Sequence, residues 1–152
     1  MVRITRTNDA PTALDIIIAR GHQNIRASNS RTLEITKDPY VTPRGDCIAA
    51  CCADKAGPEL GRALRLSLTT PGVVEVVIEA GLARDVIRGR TPGVIPSDPN
   101  RLVIRRSRYV DSSTLAISAD KAAADLSRAL VAELRKGIIA RIIISVWTSE
   151  AF

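Results

Sequence analysis

Aromatic side chains are nearly missing from this chain: one Trp, two Tyr and one Phe in 152 residues. That argues against recognition of single-stranded nucleic acid by stacking bases on rings. It also leaves the core to Ile, Val, Leu and Ala, a palette rich in strand-forming side chains. Histidine occurs once, as His22, and scattered carboxylates around one histidine lack metal-ligand spacing, so no metal site is assigned. Long hydrophobic runs are absent too. The longest, Gly137 to Trp147, is interrupted by Arg141 and is too short to span a bilayer. The opening MVRITRTNDAPT has neither an apolar stretch nor a small-residue cleavage site. A cytoplasmic protein with no membrane partner is expected.

Cysteine is sparse and oddly placed. Cys47, Cys51 and Cys52 lie within six residues of one another, and an odd number in one apolar run is not a disulfide framework. If that run is a strand, Cys47 and Cys51 face one way and Cys52 the other. Reduced, buried thiols are the expectation.

The chain is 45% hydrophobic and 25% charged, which suits one domain spanning residues 1–152. Net charge is +6, and of 22 basic residues 18 are Arg and four are Lys. Arg grips phosphate and carboxylate with a planar fork, so the bias fits a nucleic acid or a phosphorylated small molecule as partner. A thermophilic source with a GC-rich genome explains it equally, and one Gln, one Met and four Asn point that way.

The strongest signal is a repeat. Ala53-Asp54-Lys55-Ala56-Gly57-Pro58-Glu59-Leu60-Gly61-Arg62-Ala63-Leu64 returns 66 residues later as Ala119-Asp120-Lys121-Ala122-Ala123-Ala124-Asp125-Leu126-Ser127-Arg128-Ala129-Leu130, with eight of twelve positions identical. Upstream, Leu33, Ile35, Lys37, Tyr40 and Val41 match Leu102, Ile104, Arg106, Tyr109 and Val110. Downstream, Gly72-Val73-Val74 matches Gly137-Ile138-Ile139. The first copy carries three extra residues around Thr42-Pro43-Arg44-Gly45-Asp46.

Each copy reads as three strands, a helix and a fourth strand. Strands are expected at Leu14–Ala19, Thr32–Lys37, Cys47–Ala53 and Val73–Ala80, then at Arg84–Arg88, Arg101–Arg106, Thr114–Ala119 and Ile138–Thr148. Helices are expected at Pro58–Thr69 and Asp120–Lys136. The implied fold is α+β and β-rich, with pseudo-repeats at about 13–80 and 82–148. Two β-β-β-α-β units would form a barrel-like or sandwiched sheet with two helices packed outside it. The Asp-Lys pairs would open the helices, where an Asp caps free N–H groups. Lys55 and Lys121, related by a dyad, could together hold an anion there.

The loop ARGHQNIRASNSR, residues 19–31, is polar and Arg-rich, with His22, Arg20, Asn24 and Arg26. Glu34 opens the next strand, and the extra loop adds Arg44 and Asp46. A His with nearby carboxylates is raw material for acid–base chemistry.

The run RGHQNIRASNSRTLEITKDPYVTPRGDCI, with the following ADKA and the later LVIRRSRYVDSSTLAISADKAA, resembles the archaeal family known as domain of unknown function 371. The resemblance covers most of the chain. It implies an archaeal source and a β-rich fold with two helices, and it assigns no reaction. Positions that match the family pattern are Arg20, His22, Asn24, Glu34, Arg44, Asp46, Cys47, Asp54 and Lys55. At Asn29 this chain departs from a second histidine common in that pattern, which weakens a histidine-pair mechanism.

Three functions follow from these residues. The first is binding of a phosphate-bearing ligand, or of duplex or structured RNA, through Arg20, Asn24, Arg26, Arg44, Lys55 and Lys121, with Arg101, Arg105, Arg106 and Arg108 as further contacts. The second is an enzyme on a small anion, with His22 as acid–base group and Asp46 or Glu34 orienting it. The third is an assembly subunit, a homo-oligomer joined through sheet edges. In either of the first two, His22, Asn24, Arg44 and Asp46 are expected around one depression with Glu34 close by.

Overall fold

A computed structural model describes residues 10–148, so most of the N-terminal segment read above for a leader lies outside the described residues. The order of elements is β1 (Ala13–Arg20), β2 (Thr32–Thr36), β3 (Ile48–Ala50), α1 (Arg62–Ser67), β4 (Gly72–Ala80), β5 (Ala83–Arg90), β6 (Arg101–Arg105), β7 (Thr114–Ala116), α2 (Arg128–Leu134) and β8 (Ile139–Thr148). They form two four-stranded sheets. One is antiparallel in the order β1-β8-β4-β5. The other runs β3-β2-β6-β7, antiparallel at β2/β6 and parallel at its two outer pairs. There are two sheets and no closed barrel, so the expected strand-rich α+β chain with two helices is what the structure has. No helix among the described residues is long and apolar enough to cross a membrane.

Strand alternation builds the core. Ile17, Ala19, Val74, Val76, Ile78, Ile87, Ala140, Ile142, Ile144 and Val146 fill one face of the first sheet and are buried. Helix α1 lies against β1 and β8, and α2 against β5 and β4. Leu64 and Leu68 from the first helical region and Leu130 and Leu134 from the second enter the same core, with Leu33, Ile35, Leu102 and Ile104 from the other sheet. Each such leucine contributes about 1.5–3 kcal/mol by leaving water.

Exchanging β1 with β5, β2 with β6, β3 with β7 and β4 with β8 returns both sheet orders reversed. The correspondence reaches single hydrogen bonds. Asp15 takes the Lys55 ammonium at 2.7 Å, the Gly61 N–H at 2.8 Å and its neighbour Ile16 N–H at 2.8 Å. Asp85 takes the Lys121 ammonium at 2.5 Å, the Ser127 N–H at 2.8 Å and the Val86 N–H at 2.8 Å.

These contacts correct two expectations. Asp54 and Asp120 do not cap helices: their carboxylates accept the N–H groups of Ile18 and Arg88, at 3.0 and 2.9 Å, and so fasten the ends of β1 and β5. The helices are also shorter than their apolar spacing implied. Each is preceded by a separate 3-10 turn, Gly57–Glu59 or Ala123–Asp125, after which Leu60 and Leu126 turn extended, at ψ 148° and 144°. Asp15 and Asp85 pull on the N–H groups just before the true helices, so a tertiary contact sets the break.

A third correction concerns the cysteines. The strand expected over Cys47–Ala53 stops at Ala50. Cys51 makes an isolated bridge to Arg20, and Cys52 then turns left-handed at φ 60°, so alternation no longer separates their side chains.

Candidate functional site

At one corner of the molecule the end of β1, the residues after β3 and the end of α2 converge. Arg20 and Cys51 exchange backbone hydrogen bonds, with Arg20 N donating to Cys51 O at 2.9 Å and Cys51 N to Arg20 O at 2.8 Å; Gly21 N then donates to Ile138 O at 2.8 Å. Gly21 is required here. A Cβ on it would sit 1.8 Å from the Leu134 carbonyl oxygen, where α2 passes over the strand end.

The meeting point leaves an open cleft of about 510 Å³. Arg20, His22, Gln23, Pro39, Cys51, Cys52, Arg135 and Lys136 line it, with glycines 21 and 137. Three permanent cations face it, and no carboxylate belongs to its lining. Arg20 donates to the Gly137 carbonyl at 3.4 Å and Arg135 to the Ile25 carbonyl at 2.8 Å. Each contact uses part of a five-donor fork. Lys136 pairs with Glu133 at 2.7 Å but remains 60% exposed. His22 is half-buried, and its Nδ1 accepts the Asn24 N–H at 3.0 Å. In the neutral ring the proton is therefore on Nε2. A smaller depression of about 290 Å³, lined by Gln23, Asn24, Arg26, Pro43 and Arg135, adjoins the cleft through Gln23 and Arg135.

The corresponding corner of the other half is built by the same bonds. Arg90 and Ile117 exchange backbone hydrogen bonds at 2.7 and 3.0 Å, Thr91 N donates to Gly72 O at 3.1 Å, and Ser118 takes φ 51° where Cys52 takes 60°. It too leaves a cleft, of about 210 Å³, lined by Thr69, Pro71, Gly72, Arg90, Thr91, Pro92, Gly93 and Ile117. Arg90 is the one cation in that lining. The backbone of the two corners agrees; the side-chain chemistry does not.

Of the residues expected around one depression, His22 lines the cleft and Asn24 its neighbour, together with Arg20 in the first and Arg26 in the second. Asp46 instead fastens the long loop: its carbonyl accepts the N–H groups of Ser28 and Asn29 at 2.9 and 3.1 Å, and its carboxylate accepts Asn29 Nδ2 at 3.2 Å. Asn24 Nδ2 donates to the Val41 carbonyl at 2.9 Å, a second staple between the same segments. Arg44 is exposed and lines neither depression.

Glu34 lies on the second sheet, with Cys47 Sγ donating to it at 3.7 Å and Arg101 at 3.4 Å. Burial raises its carboxyl above the ordinary range, and Arg101 only partly offsets this. Burial likewise pushes up the Cys47 thiol, with Glu34 adding to the effect. Lys55 and Lys121 are each ion-paired, to Asp15 and Asp85 on the two edge strands β1 and β5 of the first sheet. Among the described residues no group of three or more His, Cys, Asp or Glu is placed to hold a metal ion.

Sequence reasoning missed Arg135, Lys136 and the Cys51–Cys52 pair. Arg135 and Lys136 follow the last turn of α2 and are brought to Arg20 by the pairing of β1 with β8.

A family model for the domain of unknown function 371 matches residues 17–147, the segment that holds both clefts. The chain belongs to that family. It is also 38% identical over 123 residues to an uncharacterized protein of Methanocaldococcus jannaschii, an alignment that covers 80% of this chain and 91% of the relative.

Proposed function

We propose that this member of the 371 family is an internally duplicated scaffold whose first cleft binds a small phosphate-bearing or similarly polyanionic molecule. One observation carries the reading: Arg20, Arg135 and Lys136 surround a cleft whose lining contains no carboxylate, beside His22 and Asn24. A site of that kind attracts anions and repels cations, and its arginines keep donors to spare. The matched bonds of the two halves, down to Asp15 and Asp85, support the duplication. A duplicated scaffold has to keep its packing twice, whereas a ligand site is needed once.

An extended nucleic-acid face has less support. Arg101, Arg105 and Arg106, on or just after the basic strand expected to make such contacts, already pair with Glu34, Asp111 and Asp125. Acid–base catalysis by His22 also lacks its expected orienters, since neither Asp46 nor Glu34 lines the cleft.

Titration calorimetry with inorganic phosphate and pyrophosphate at low ionic strength tests the proposal. Arg135→Gln should weaken binding by about tenfold, the loss of one charge-assisted hydrogen bond. Arg90→Gln, in the opposite cleft, should leave it unchanged. Equal losses from the two variants, or no saturable binding at low salt, would refute the site.

A further inference from the structure

Cys51 and Cys52 face each other. Their Sγ atoms are 2.8 Å apart, in contact and unbonded, and both residues line the cationic cleft. Cys51 is 1% exposed, with its sulfur 3.8 Å from the Gly21 carbonyl oxygen, whereas Cys52 is half-buried and more open to the cleft. The left-handed backbone at Cys52 brings adjacent side chains to one side. That turn does not need sulfur, because Ile117 and Ser118 build the same bridge and the same left-handed residue in the other half. The two thiols are therefore an addition to a corner that folds without them, and they sit where the positive charge is.

We propose that Cys51 and Cys52 form a redox-active dithiol that exchanges with an anionic low-molecular-weight disulfide held by Arg20, Arg135 and Lys136. This rests on reading the cleft as an anion site and names the class of anion. In the first step Cys52 gives up its proton to solvent and its thiolate attacks one sulfur of the small disulfide RS–SR. The RS–SR bond breaks, a mixed disulfide forms, and RS⁻ leaves to be protonated. In the second step Cys51 loses its proton and attacks Cys52 Sγ, expelling the other RS⁻. Two protein thiols are oxidised by two electrons to one bond between adjacent residues, and one small disulfide is reduced to two thiols. Burial, and Cys52 alongside, push the Cys51 thiol up to about 12. Cys52, the more open of the two, is therefore the attacking thiol and Cys51 the resolving one.

The test uses the full chain with Cys47→Ser, so that the pair supplies the only thiols. Oxidised glutathione, which is anionic, is compared with the neutral 2-hydroxyethyl disulfide, each rate normalised to that with free cysteine. Intact mass and free-thiol titration are the readouts. The expected result is loss of both thiols and of two hydrogens in mass, reversed by reductant. Closure should be about tenfold faster with the anionic disulfide at low ionic strength. Arg135→Gln with Lys136→Gln should remove that advantage. Cys52→Ser, which copies Ser118 and so should fold, must abolish closure. Persistence of both thiols, a stable mixed adduct, cross-linked dimers, or equal normalised rates for the two disulfides would each overturn the proposal. Phosphate binding by the untreated protein is measured in parallel. Normal phosphate binding without closure faults the dithiol alone, and closure with the anionic preference but no phosphate binding faults the phosphate reading alone.

Discussion

If the two halves share one construction, Asp15→Ala and Asp85→Ala should destabilise the protein equally. Each carboxylate holds one ammonium and two backbone N–H groups, at distances that differ by no more than 0.2 Å between the halves. Truncation leaves Lys55 with the Ile16 carbonyl and Lys121 with that of Val86. The lysine side chains are 30% and 32% exposed, so water recovers part of their loss. Two stranded N–H groups at about 1 kcal/mol each, plus a partly rehydrated ammonium, give about 2–3 kcal/mol per site. For a domain of this size that is a fall in Tm of about 5–10 °C. Because the sites lie at opposite edges of one sheet, the double variant should show the sum. The pH dependence adds an independent check. Burial pushes both carboxyls up, but the lysine ammonium and the backbone N–H groups more than offset it and hold them below their ordinary value. Their stabilisation is therefore fully present above the unfolded-chain pKa of about 3.9 and is lost as pH falls through the lower folded value. Urea unfolding of the wild type and both variants from neutral pH down into the acid limb measures all of this. A difference above about 2 kcal/mol between the single variants, or an acid limb unchanged in both, would refute the shared construction.

Gly21→Ala should cost about 3 kcal/mol or more, since its Cβ would overlap the Leu134 carbonyl oxygen, and phosphate binding should fall with it because the cleft wall moves. Gly93→Ala, at φ +83° with open space around it, should cost only about 1–2 kcal/mol in the same unfolding assay. Asp111, held down to about 2 by the Ser113 hydroxyl and N–H and by Arg105, against the opposing effect of burial, should titrate by carbon-detected NMR well below the ordinary value of an aspartate. Its stabilisation persists above about 3.9, the unfolded-chain value, and disappears as pH falls through about 2. Asp111→Asn should remove that part of the acid dependence.

Strands were legible because their signal is local. Alternating β-branched residues in LDIIIA, TLEIT and GVVEVVIEA place the sheet edges within a residue or two of where they fall. Helix limits were not, because they depend on distant side chains. The spacing of Leu60, Ala63, Leu64 and Leu68 looks helical throughout, yet Asp15, 46 residues upstream, takes the Gly61 N–H and splits the segment. The loop around His22 was found by its polarity, and four of its residues do line the cleft or its neighbour. The residues that share its cleft were not legible, for the same reason as the helix limits. Asp46 and Glu34 are near in number but turned to other tasks, while Arg135 and Lys136 arrive from the far end of the chain through the pairing of β1 with β8.

The two corners also show where new chemistry is least costly in this fold. Both share one frame of backbone bonds, Arg20 with Cys51 and Arg90 with Ile117, and the side-chain bonds of the first corner, such as Arg135 to the Ile25 carbonyl, are additions to that frame. Substitution there leaves the core leucines and the Asp15 and Asp85 networks intact. It follows that the residues separating one corner from the other, His22 against Pro92, Cys51 and Cys52 against Ile117 and Ser118, and Arg135 against Thr69, should be exchangeable with little loss of stability. Transplanting the second corner's residues into the first, as His22→Pro, Cys51→Ile, Cys52→Ser and Arg135→Thr together, is the most demanding form of that claim. The expected product melts within about 5 °C of the wild type, a change of about 1–2 kcal/mol, binds phosphate about tenfold more weakly through the loss of Arg135, and no longer closes a disulfide. A product that fails to fold would show that the first corner's side chains are structural after all, and a product that folds and binds phosphate as tightly as the wild type would place the anion site elsewhere.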